Sequence, residues 1–172
     1  MYEPGKIMKA GGSYLSEPLD NGGGVLSAAT TYVLDATQAS PAWQQTASMA
    51  NRRSHLNLTV LPDGTVLATG GSTDIGGVNT ATAVYAAEVW SPATQTWATM
   101  AAAQRPRLYH STAVLLPDGR VLSAGGGHNY ANSHTEFNAE IFSPAYLFKG
   151  ARPVVASSPA TGGYGPSLFE RT

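Results

Sequence analysis

The chain has 172 residues and a net charge of −1, with 42% apolar and only 12% charged residues, and no cysteine. No Lys/Arg run offers a face for nucleic acid, no apolar stretch is long enough to span a membrane, and disulfides, thiolate metal ligands and a cysteine nucleophile are excluded. Low charge with 19 Gly and 11 Pro predicts short strands joined by turns, an all-β chain rather than a helical or disordered one.

The first residues, MYEPGKIMKAGG, have no charged segment followed by an apolar one, so no signal peptide is read in this chain. EPGKIMKAGG (3–12) reads as a turn, a strand and a glycine pair. Trp43 and Met49 follow, then RRSHLNLTV (52–60), in which His55 stands before an apolar run. LPDGTVLATGG (61–71) is a tight Asp-Gly turn and a returning strand. AEVWSP (87–92) is a strand stopped by proline, and TQTWATM (94–100) is a fourth strand carrying Trp97. Next comes RLYH (107–110), with Arg107, Tyr109 and His110 ahead of STAVLL (111–116), which reads as a buried strand. LPDGRVLSAGG (116–126) then repeats the earlier turn and strand, and AEIFSP (139–144) repeats AEVWSP. Beyond Pro144 the pattern breaks into short apolar pieces between Pro and Gly.

Two LPDG copies about 55 residues apart approach the spacing of roughly 50 in kelch-type propellers. The expected architecture is therefore kelch-type β-propeller blades, each of four antiparallel strands. One partial blade spans about 1–48 and two more span 49–101 and 102–148. About three blades make an incomplete propeller, since closure needs at least four. The chain is thus expected to be a fragment, a subunit of an assembly or a truncated gene product. Residues 149–172 read as a linker and the first strand of a second β-domain.

Tyr109 and His110 precede the first strand of a blade, where side chains from several blades converge. A phenolate oxygen beside an imidazole nitrogen suits Cu(II). A structural role, with His110 capping the strand, stays open, because His55 holds the matching position one unit earlier. His128 and His134 lie in a polar loop (125–137) and read as solvated rather than metal-binding, since no Cys or carboxylate partner accompanies them. Asp63 and Asp118 belong to turns, the glycine pairs are not phosphate loops, and no Ser-His-Asp arrangement stands out.

RLYHSTAVLLPDGRVLSAGGG with NAEIFSPAYLFKGARP closely resembles the end of the propeller in galactose oxidase and glyoxal oxidase, the copper radical oxidases. GKIMKAGG and RRSHLNLTVLPDGTVLATGG resemble the two preceding blades, and the tail resembles the start of the early-set immunoglobulin-like domain that follows. The resemblance implies a secreted or envelope-associated parent that oxidises a primary alcohol or aldehyde with dioxygen and releases hydrogen peroxide. It implies Tyr109 as axial tyrosine and proton acceptor and His110 as the adjacent copper ligand. His55 and Arg107 are then pocket or supporting residues. Two of the four family ligands are present, and the tyrosine–cysteine radical cofactor cannot be, so this chain alone is expected to be inactive. Its partners would be a small alcohol, aldehyde or carbohydrate, the rest of the propeller and the C-terminal domain. Ser54 stands where galactose oxidase has an aromatic residue, and the loop 72–82 overhanging the mouth also differs, which argues against galactose itself. The competing reading is a non-catalytic kelch module that binds protein or carbohydrate at its mouth. A third is a gene remnant whose exposed blade faces prevent stable folding.

Overall fold

The computed structural model describes residues 1–12, 27–127, 135–151 and 154. The described residues form an all-β chain of three antiparallel sheets with no α-helix. The first sheet holds β1 (Lys6–Ala10), β2 (Thr31–Asp35) and β3 (Gln44–Thr46). The second holds β4 (Asn57–Val60), β5 (Val66–Thr69), β6 (Ala86–Ser91) and β7 (Thr96–Ala102). The third holds β8 (Thr112–Leu115), β9 (Val121–Ala124) and β10 (Ala139–Phe142). Within each sheet, strands follow one another in chain order.

The LPDG turns set two of these registers. Leu61 and Thr65 close the first turn and Asp63 Oδ1 accepts the Thr65 amide, fixing β4 against β5 with Val60 opposite Val66. Leu116 and Arg120 close the second, and Asp118 accepts the Arg120 amide, with Leu115 opposite Val121. Asp63 and Asp118 thus serve the turns, as the sequence indicates.

The second sheet is the middle layer. All four β5 residues are buried, and their alternation sorts them between two neighbours. Val66 packs with Val33 and Trp90, and Ala68 with Ala10 and Met49, both towards the first sheet. Leu67 packs with Leu61, Ala87 and Val121, towards the third. Trp97 joins both clusters on the first-sheet side and donates its indole N–H to Thr31 Oγ1 at 3.0 Å.

STAVLL is not a buried strand. In β8, Val114 is 51% and Leu115 38% exposed, and only Ala113 packs against the core. Val114 lies on the face of the third sheet turned away from the second, and Ile141 of β10 is exposed there too. Beyond Pro144 the chain turns through a short 3-10 segment, Ala145–Phe148. The expected first strand of a further domain lies, apart from residues 149–151 and 154, outside the described residues.

A candidate metal centre

The glycine pairs that end β1 and β5 each seat the segment leading into the next sheet. Gly12 N–H donates to Arg53 O, and Gly71 N–H donates to Arg107 O, each at 2.7 Å. Gly11 and Gly70 have φ +68° and +64°, and a Cβ on either would strike the same arginine carbonyl. Glycine is required there on both counts.

Each seated arginine then turns back into its own sheet. Arg53 is fully buried and donates to Gly70 O, Ala86 O and Glu88. Arg107 repeats this with Gly125 O, Asn138 O, Asn138 Oδ1 and Glu140. Each carboxylate also gathers two backbone amides, Ala50 and Asn51 for Glu88, and Gln104 and Arg105 for Glu140. Arg107 is 1% exposed and its guanidinium is held by its own sheet.

From this shared anchor the two copies diverge. Two steps separate Arg53 from His55, whereas three separate Arg107 from His110. The additional residue lets Leu108 plug the core at 2% exposure and carries Tyr109 outward. Both histidines then take the same left-handed backbone, φ 54° for His55 and 64° for His110.

The result is one aromatic group drawn from two units. Tyr109 and His110 rings lie 3.8 Å apart between centroids at 32°, and His55 meets Tyr109 edge-on at 5.1 Å and 89°. Ser54 Oγ donates to Asp74 O, so it accepts from His55 Nδ1, 3.1 Å away, which leaves Nε2 as the acceptor of a neutral imidazole. Burial holds the His55 pKa below its ordinary value; Asp74 opposes that shift and His110 adds to it.

Three of the four residues singled out from sequence, His55, Tyr109 and His110, therefore meet here, while the Arg107 side chain is turned into its own sheet. His128 and His134 lie outside the described residues. Asp74 was not singled out. Its carboxylate accepts the amides of Gly76 at 2.8 Å and Gly77 at 2.9 Å and the hydroxyl of Thr82 at 2.6 Å. The signal was present as an aspartate two and three residues ahead of glycines, an Asx-turn pattern.

The donor set fits copper in part. A phenol and an imidazole on adjacent residues supply oxygen and nitrogen of the kind Cu(II) takes. Among the described residues no group of three or more His, Cys, Asp or Glu side chains could hold a metal ion.

Residues 6–146 match the protein family described as Glyoxal oxidase N-terminus. A galactose oxidase of Gibberella zeae is 38% identical over 89 residues, which is 52% of this chain and 13% of that protein. The aldehyde oxidase GLOX of Vitis pseudoreticulata is 53% identical over 62 residues, 31% of this chain and 12% of the relative. A solved structure, a fungal alcohol oxidase of the AA5 family in complex with copper, superimposes with a TM-score of 0.77 at 30% identity. That match covers 91% of this chain and 34% of the other. The matched region is thus about an eighth of these curated relatives and a third of the solved chain.

Proposed function

The chain belongs to the glyoxal oxidase N-terminal family, and from that premise we propose that it is the part of a copper radical oxidase that supplies two copper ligands, Tyr109 and His110. In this reading the three sheets are propeller blades, residues 149–172 lead into an immunoglobulin-like domain, and the longer protein works outside the cell or at its envelope. The reaction would take a primary alcohol or aldehyde and dioxygen to the next oxidation level and hydrogen peroxide.

One observation carries the proposal. Tyr109 stands where the repeat has Ser54, and its ring contacts the imidazoles of both His55 and His110. A scaffold position needs no phenol there. When bound, copper would supply a one-electron acceptor and an acidifying centre for the substrate hydroxyl, the second electron going to a ligand radical. Tyr109 Oη, ionised, would receive the hydroxyl proton. Its ring touches both imidazoles, which would favour an acceptor already in place. His55 would line the pocket with Nε2 free to accept from substrate. Ser54 in place of a large aromatic argues against galactose as substrate. With no cysteine in the chain, the radical ligand must come from elsewhere, and these residues alone would not turn over.

A second reading has a specific observation in its favour. His55 and His110 share one left-handed conformation, as repeat positions of a non-catalytic kelch module would. Tyr109 separates the two. In the longer protein, Cu(II) titration should give a copper-dependent absorption that Tyr109→Phe alters, with peroxide released from small alcohols or aldehydes in the wild type. A wild-type spectrum indifferent to copper, or one unchanged in Tyr109→Phe, would leave the binding module as the answer.

A further inference from the structure

We propose that Asp74, on the loop after β5, is a positioning residue for Tyr109 in the next sheet. This rests on the reading of Tyr109 as a copper ligand; its physical basis does not. The backbone of Tyr109 is fixed at both polar atoms by glycines from two different loops. Its N–H donates to Gly77 O at 2.8 Å, and its carbonyl accepts from Gly127 N–H at 2.6 Å. The Gly127 bond comes from Tyr109's own unit. The Gly77 bond comes from the preceding one, so something must hold Gly77 in place.

Asp74 does that with its whole side chain. Oδ1 takes the amides of Gly76 and Gly77, and Oδ2 takes the Thr82 hydroxyl, which ties the two ends of the loop together. Charge-assisted bonds of this kind are the stronger class of hydrogen bond. Gly77 has φ +62° and sits hard against the His55 ring, where a Cβ would collide with Nδ1. Ser54 Oγ, donating to Asp74 O, anchors the same loop to the residue before His55. One carboxylate thus fixes a single glycine against both His55 and the amide of Tyr109.

The test is site-resolved amide hydrogen exchange on the metal-free chain, comparing wild type with Asp74→Ala and Asp74→Asn. Alanine removes every acceptor contact of the carboxylate. Asparagine keeps Oδ1 for both glycine amides and can donate to Thr82. In Asp74→Ala the amides of Gly76, Gly77 and Tyr109 should exchange roughly tenfold faster or more, in line with losing charge-assisted bonds, while Val66–Thr69 stay unchanged. Asp74→Asn should bring Tyr109 back to within about threefold of wild type. Two results would overturn the proposal. One is an unchanged Tyr109 amide when Gly77 is released. The other is a loss of protection that spreads across β5 or that asparagine fails to restore, either of which would mean general destabilisation. The measurement needs no copper, so it stands apart from the Tyr109→Phe titration, and either idea can fail without the other.

Discussion

Gly70 and Gly125 occupy the same repeat position with nearly the same backbone, φ +64° and +68°, yet their surroundings differ. A Cβ on Gly70 would strike Arg107 O and lie 2.7 Å from Arg107 Cβ, whereas on Gly125 it would meet, among the described residues, only His110 O at 3.8 Å. Alanine at Gly125 should therefore cost only the left-handed strain, about 1–2 kcal/mol. Alanine at Gly70 adds the displacement of a buried backbone and should cost about 3 kcal/mol or more. Urea denaturation of the two variants checks this, and equal losses would show that the arginine seat contributes nothing. The same contrast explains what could be read in advance. Tyr109 was legible because it broke an otherwise faithful repeat, and His110 as the donor beside it. His55 was legible as the matching histidine. Asp74 was not, since its importance lies in which distant amide its turn presents, and local sequence does not report that.

At the scale of elements, the arginine–glutamate clasps decide how one sheet is joined to the connector before it. Both Arg53 and Glu88 side chains are fully buried, while Glu140 of the equivalent pair is 24% exposed. Breaking a fully buried pair leaves an uncompensated charge, so Glu88→Gln should cost about 3–5 kcal/mol and Glu140→Gln distinctly less. Burial alone would raise the Glu88 pKa, but Arg53, the Ala50 amide and Asn51 outweigh it and hold the group below its ordinary 4.5. The sign follows: the stabilisation is complete above that ordinary value and is lost as pH falls through the lower folded value. Thermal melts from neutral pH into the acid range should show Glu88→Gln losing less than wild type below about pH 4.5. Parallel curves would remove Glu88 from the account. The strands themselves were legible from Asp-Gly turns and proline stops. Their burial was less so. The apolar run at β8 suggested a strand covered on both faces, but an apolar pattern records only what a strand can bury. Leu58 and Val60 of β4, 37% and 39% exposed, make the same point: they share a face with Val66 and Ala68, and the first sheet has no described strand opposite β4.

Across the whole molecule, three sheets stacked through glycine-seated arginines give a centre unlike its flanks. Among the described residues only the second sheet is covered on both sides, with β5 buried at every position, while β8 and β10 keep an exposed face. Burial of apolar area is the main source of stability, and local opening follows where that burial is thin. Opening should therefore begin at the third sheet and reach the second last. The arginine seats make this order directional. Releasing the third sheet frees Arg107 O from Gly71 N–H but leaves Arg53 held by Gly12 N–H and Glu88. Native-state hydrogen exchange in low denaturant tests the order. The Val66–Thr69 amides that bond within the sheet should exchange only through global unfolding, and the Val114 amide of β8 through a cheaper, partial opening. If β8 were as protected as β5, the stack would unfold as a single unit. The two exposed flanks would then be ordinary surface, not faces that depend on further sheets in a longer chain.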